Sequence, residues 1–225
     1  MGRDHFPNIP IGAGMGFARG VMLLDDCEGT CTWLFDGTGG DDVHAYATAA
    51  AFTGTYGLRL KTRTTASADN DTITAQKLFD FPGTGLLVAR ARVAPLIVAN
   101  TKSINFGLRI DNGVQQYVAY FRLAPSVGKA YYCNSAGAWV EIVAMATPYI
   151  GSNWYTVEIA IDCLAKKWLQ VRFNGWTADL STLPLYNDAA TAGRGALLIL
   201  YTLATAAGPS EIYADNIYVG EYLES

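Results

Sequence analysis

Charge is scarce in this sequence: Asp, Glu, Lys and Arg make up 16% of its 225 residues, against 51% hydrophobic. Such a chain folds around a sizeable core, and its length fits one all-β domain or one domain with an appendage. The 16 basic and 20 acidic residues leave a net charge of −4, and no Lys/Arg cluster with interleaved aromatics occurs, so nucleic acid is not an expected partner. Long apolar runs are missing too. The longest, "ALLILYTLATAA" from Ala196, is too short for a membrane-spanning helix, and no membrane insertion is expected. Histidine occurs only as His5 and His44, neither in a triad motif, and no G-x-S-x-G elbow is present. Among the cysteines, Cys27 and Cys31 form "CEGTC", which has no second pair and so is not a zinc pattern. With Cys133 and Cys163 they read as thiols or small core residues without a redox role, a Cys27–Cys31 disulfide being the alternative.

The opening stretch "MGRDHFPNIPIGAGMGFARG" lacks the basic start and continuous apolar segment of a secretory signal. Its "GAGMG" follows no strand and precedes no Gly-Lys-Ser, so it is not a phosphate loop. Phe6, Ile9, Ile11, Met15 and Phe17 are scattered without period, as in a disordered tail or in an arm that orders on a neighbouring subunit. The expected division is an extended N-terminal arm at 1–19 and a β-sandwich domain at 20–225.

From residue 20 onward, short alternating or apolar runs follow one another with Gly, Asn, Asp and Pro between them. They lie at 20–25, 43–50, 56–63, 72–80, 85–94, 103–110, 115–123, 129–133, 138–145, 154–162, 167–173, 195–203 and 211–219. Helical periodicity is nearly absent, and no internal repeat or linker interrupts the series. The expectation is all-β: an antiparallel sandwich of jelly-roll type. Asn-Gly at 112–113 predicts a type I′ hairpin, and a second Asn-Gly stands at 174–175.

Alternation also assigns faces. In "QQYVAYFRL", Tyr117, Ala119, Phe121 and Leu123 point inward, leaving Tyr120 and Arg122 outside. In "SINFGLRI", Arg109 opposes Phe106, Leu108 and Ile110. In "KKWLQVRF", Leu169, Val171 and Phe173 form the apolar side, which puts Trp168, Gln170 and Arg172 outside. An aromatic ring flanked by arginine and amide groups suits a sugar, whose C–H faces stack while its hydroxyls bond. Arg109, Tyr120, Arg122, Trp168, Gln170 and Arg172 are therefore the candidate ligand-binding set. Loops could instead cover these rings as a second core, or another subunit could bury them. In the last strand, "EIYADNIYVG", alternation sets Asp215 among Tyr213, Ile217 and Val219 on the core side, where an ionised carboxylate needs compensation.

Three segments, "LLDDCEGTCTW", "AAAFTGTYGLRLKT" and "NWYTVEIAIDCLAKKWLQVRFNG" with its closing "IYADNIYVG", together resemble concanavalin A-like and carbohydrate-binding-module jelly rolls. The resemblance implies that Glu28 and Asp215 share a structural calcium ion; Asp25 and Asp26 read as turn residues, Asp26 as an extra ligand being the alternative. The alternative for Asp215 is hydrogen bonding to backbone amides or an arginine. Glycosidases of such folds bring two carboxylates roughly 5–10 Å apart. Glu158 and Asp162 lie four strand residues apart, roughly 13 Å, and Glu141 stands alone, so no catalytic pair is expected.

The function that leads on sequence is a non-enzymatic structural or accessory protein of a virus particle, a bacteriophage capsid decoration for example. Its arm and a sheet face would tie it to itself or to other virion proteins as a homo-oligomer. The alternative is an extracellular carbohydrate-binding module or lectin taking a glycan on the Trp168/Arg172 face.

Overall fold

Two antiparallel sheets pack face to face in the computed structural model, which describes residues 19–38, 40–63, 68–79, 85–145, 149–189 and 194–222. The first sheet runs β13 (Trp176–Asp179), β12 (Lys167–Phe173), β11 (Tyr155–Asp162), β6 (Leu86–Pro95), β16 (Glu211–Glu221), β4 (Gly57–Lys61) and β3 (Val43–Ala47), with β1 (Arg19–Asp25) also paired to β16. The second runs β10 (Trp139–Glu141), β9 (Lys129–Cys133), β8 (Gln115–Ala124), β7 (Thr101–Asn112), β15 (Arg194–Ala204), β5 (Thr72–Phe79) and β2 (Leu34–Gly37), with β14 (Tyr186–Ala189) also paired to β8. This is the all-β jelly-roll sandwich that the strand pattern predicts. The short strands β2, β13 and β14 go beyond that pattern. "LFDG", "WTAD" and "YNDA" are too short to show alternation, and they form because a neighbouring strand offers them an edge. The proposed arm at 1–19 lies outside the described residues except for Arg19, which opens β1.

The core fills the space between the sheets. Leu58, Leu60, Leu87, Ala89, Ala91, Val93, Ile159, Ile161, Val171 and Phe173 meet Ile73, Ala75, Phe106, Leu108, Ala119, Phe121, Leu198 and Leu200 from the other side. Each strand gives its alternate residues to this layer, so the intervening residues must stand on one of the two outer faces. Full burial of each large aliphatic or aromatic side chain contributes about 1.5–3 kcal/mol.

Turn chemistry follows the sequence at one Asn-Gly and not at the other. Asn174 and Gly175 have φ 45° and 89°, and Phe173 pairs directly with Trp176, as a two-residue type I′ hairpin requires. At the first Asn-Gly only Gly113 has positive φ, and the pairing closes at Asp111 and Gln116. There the Asn112 side chain accepts the amide protons of Val114 and Gln115, which holds a longer loop instead of the I′ turn.

Two bulges rearrange the faces that simple alternation assigns. On β12, Trp168 pairs with Ile161 and Gln170 with Ala160, so Leu169 is skipped. That turns Trp168 inward beside Val171 and Phe173, where it is fully buried and meets the edge of Tyr132 at 6.2 Å. On β16, the register shifts between Asp215 and Tyr218, with Asn216 at φ 50°. Ile212 and Ala214 face the core before the bulge, and Ile217 and Val219 after it. Asp215 consequently stands on the outer side of the first sheet, opposite Arg92, not among core side chains.

Candidate functional site

Strand register brings one continuous polar and aromatic row to the outer face of the second sheet. Asp36, Thr74, Tyr201, Asn105, Arg122, Tyr131 and Glu141 stand side by side on β2, β5, β15, β7, β8, β9 and β10. At the usual strand spacing this row spans roughly 29 Å. Tyr120 and Trp139 flank it, and Arg109 lies further along β7 on the same face.

The middle of the row is a bonded unit. Arg122 donates from Nε to Asn105 Oδ1 at 2.8 Å, and Asn105 Nδ2 donates to Ser103 Oγ at 2.9 Å. Asn105 and Ser103 are buried, so these bonds satisfy polar groups that water does not reach. The Arg122 guanidinium lies 3.6 Å from the ring centroid of Trp139. Tyr120 meets Tyr201 edge-on at 5.9 Å and Trp139 at 6.4 Å. Tyr120 rests flat over β7 because its partner there is Gly107; a Cβ at that position would come within 2.4 Å of the ring. Burial pushes the Tyr120 hydroxyl up to about 12, and burial also lowers the pKa of Arg122. Tyr120, Tyr201, Trp139, Tyr131 and Arg122 all keep part of their surface exposed.

The six candidate residues divide between the two sides of the molecule. Arg109, Tyr120 and Arg122 share the face just described, as alternation predicts. Trp168 is in the core and presents nothing to solvent, because of the β12 bulge. Gln170 and Arg172 do face outward, but from the first sheet, on the opposite side of the sandwich. Arg172 stands beside Glu158, which stands beside Arg90. Arg90 Nη2 lies 2.7 Å from Glu158 Oε2, and Arg172 Nε lies 3.7 Å from Oε1. This buried carboxylate between two guanidinium groups cross-links three strands. Gln170 borders a shallow cavity with Leu169, Asp179, Ser181 and Tyr222.

Glu28 and Asp215 do converge, on the segment after the 3-10 turn at Thr48–Ala50. Asp215 Oδ2 accepts the Phe52 and Thr53 amide protons at 2.8 and 2.9 Å, and its Oδ1 accepts that of Asn216 at 2.6 Å. Glu28 Oε1 accepts from the amides of Thr55 and Tyr56. Burial raises the Asp215 pKa against the pull of its amide donors, whereas the Tyr56 and Thr55 amides lower that of the exposed Glu28. Backbone N–H groups thus meet both Asp215 oxygens and Glu28 Oε1, and amides compensate the buried Asp215 carboxylate. Among the described residues, no three His, Cys, Asp or Glu side chains are grouped to hold a metal. Asp25 ends β1 and turns the chain through its side chain, as the sequence suggests. It is buried and accepts from Trp33 Nε1 at 2.7 Å, from Tyr46 and Lys77, and from the Cys27 amide at 2.8 Å. All four cysteines are free thiols.

Trp139, Tyr201, Tyr131 and Asn105 are site residues that sequence reasoning missed. Tyr201 is hidden in an apolar run whose two faces are both buried, so alternation gives no signal. Trp139 sits on a three-residue strand, and only the pairing of β10 with β9 places it beside Arg122.

No protein-family model matches the chain, and no curated protein matches it. Solved structures do. The cellulose-induced protein Cip1 superposes with a TM-score of 0.58 at 13% identity, over 90% of this chain and 99% of that one. An endo-β-1,4-glucuronan lyase from Trichoderma reesei gives 0.53 at 11% identity, over 91% and 94%. An endo-1,3-β-glucanase from Streptomyces sioyaensis gives 0.50 at 15% identity, over 91% and 96%. At such identities the likeness is one of fold alone: an antiparallel jelly-roll sandwich over nine-tenths of the chain.

Proposed function

We propose that this chain binds a glycan on the outer face of its second sheet. The observation that carries this reading is the cluster of Trp139, Tyr120 and Tyr201 around an Arg122–Asn105 pair, within a row crossing seven strands. Partly exposed rings accept the C–H side of a sugar, and the Arg122 guanidinium, held in place by buried Asn105, takes its hydroxyls. A glucuronan lyase and an endo-1,3-β-glucanase that share the fold are named for polysaccharide substrates, which supports the reading. The role proposed is binding in place of glycoside hydrolysis. Glycoside hydrolysis needs two carboxylates flanking the bond, whereas Glu141, the acid nearest the aromatic cluster along the row, is held by Lys129 at 2.8 Å. This reading takes precedence over virion assembly, whose arm lies outside the described residues and which none of the structural neighbours supports.

A glycan array with the full chain tests the proposal. Trp139→Ala is expected to reduce binding at least tenfold, in keeping with about 1–3 kcal/mol for a stacked ring, while the melting temperature changes little. An array with no signal would overturn the proposal. Release of reducing ends or unsaturated products from a bound glycan would replace binding alone with catalysis.

A further inference from the structure

The partners of the arginines differ across the molecule, and the difference bears on which glycan this face accepts. Arg59, Arg63, Arg90 and Arg172 each face a carboxylate: Glu211, Asp71, Glu158 and again Glu158. Arg92 stacks on Phe52 and stands across from Asp215. Arg122 has only neutral company. Its Nε is bonded to the Asn105 carbonyl oxygen, its side chain also bonds Tyr201, and its face lies on Trp139. Glu141 stands two strands away in the same row and is bonded to Lys129. Among the described residues no carboxylate pairs with Arg122 or with Arg109.

A guanidinium drawn partly out of water without a counter-charge is held at a cost that an arriving anion removes. The arrangement around Arg122 also fixes its plane, which is the preparation needed for bidentate bonding to an oxyanion. Arg109 lies one strand across and four residues along from Arg122, roughly 14 Å away. The chain as a whole carries −4, and Asp111 stands two residues from Arg109 on the same face, so an anion would be held by the placed guanidinium groups and not by net charge.

We infer that the glycan bound on this face is acidic, with an anionic group on one sugar pairing with Arg122 and another further along the chain reaching Arg109. This rests on the glycan-binding reading and specifies its ligand class. The shared chemistry is an oxyanion on a sugar, which a uronate carboxylate or a sulfate ester can supply.

Calorimetric titration of the full chain with oligogalacturonate, a sulfated dextran and a neutral β-glucan separates these cases. An acidic probe is expected to bind at least tenfold more tightly than the neutral one and to weaken as salt is added. Preference for the uronate or for the sulfate supports the inference and assigns the group. Arg122→Gln is expected to weaken acidic binding by about tenfold to a hundredfold, the usual range for a hydrogen bond to a charged group. Because Arg122 also braces Asn105, Arg109→Gln serves as the second variant, with a smaller loss and an unchanged melting curve. Equal binding of neutral and acidic glycans, untouched by either substitution, would overturn the acidic assignment and leave glycan binding standing. Failure of all three probes, together with a silent glycan array, would remove both.

Discussion

The two outer faces of this sandwich use the same residue types to opposite ends. On the first sheet, arginines and glutamates neutralise one another: Glu158 lies between Arg90 and Arg172, and Glu211 pairs with Arg59 at 2.8 Å and Lys61 at 3.7 Å. On the second sheet, Arg122 is set among tyrosines, a tryptophan and an asparagine. Charges consumed inside a protein hold strands together, whereas a charge left uncompensated at an aromatic surface is available to a ligand. An arginine on a strand face is thus informative only once its neighbours across the sheet are known.

Substitutions can break this comparison or sharpen it. The largest effect is expected at Trp168, which sequence alternation sets on a ligand face and the β12 bulge sets in the core. Trp168→Ala should cost about 3–5 kcal/mol in a denaturant titration and leave glycan affinity of the folded protein unchanged. Intact stability with lost binding would move the functional face to the first sheet. Next comes Glu158→Gln, which leaves two partly buried arginines without their carboxylate. A loss of about 2–4 kcal/mol is expected after allowing for the arginines' access to solvent, again without effect on binding. A comparable loss of binding would show that the two faces communicate.

Asp25 lies between the sheets and gives a pH signature. Burial raises its pKa, but Lys77, Tyr46 and the Cys27 amide outweigh burial and leave it below the ordinary value of 3.8. A depressed carboxyl stabilises the fold above the unfolded-state pKa, and that stability is lost as pH falls through the folded value. Asp25→Asn should therefore lower stability at neutral pH by about 1–3 kcal/mol and flatten the acid limb below about pH 4. An acid limb identical to that of the parent would remove Asp25 from this role.

The smallest effects are expected at the loop held by Glu28 and Asp215. Asp215→Asn should cost about 1–2 kcal/mol, and Glu28→Gln less, because water reaches it. With the carboxylates bonded to amides, a chelator should leave the melting temperature unchanged. A chelator-induced drop that Asp215→Ala abolishes would instead establish the calcium ion that the family resemblance implies.

Much of the fold was legible in the sequence. The alternating runs in "QQYVAYFRL" and "SINFGLRI" identify inward and outward residues correctly, because both strands are regular over those stretches. That backbone amides meet Asp215 was legible as an alternative, but which loop supplies them, and that Glu28 binds the next amides of the same loop, were not. "KKWLQVRF" and "EIYADNIYVG" mislead for one shared reason. A single bulged residue, Leu169 in one and Asn216 in the other, reverses every face on one side of it, and no side-chain pattern announces it.

By itself the sequence determined that this chain is a β-sandwich, which residues of its regular strands are buried, and that Arg109, Tyr120 and Arg122 face outward. These follow from period-two alternation and turn residues, which act between near neighbours along the chain. Tertiary structure alone decided that Trp168 belongs to the core, that Arg172 is neutralised by Glu158, and that Trp139, Tyr201 and Asn105 gather around Arg122. Those outcomes depend on which strands lie side by side and in what register. Residues as distant in sequence as Asp36 and Tyr201 share a row only because β5 pairs with both of their strands.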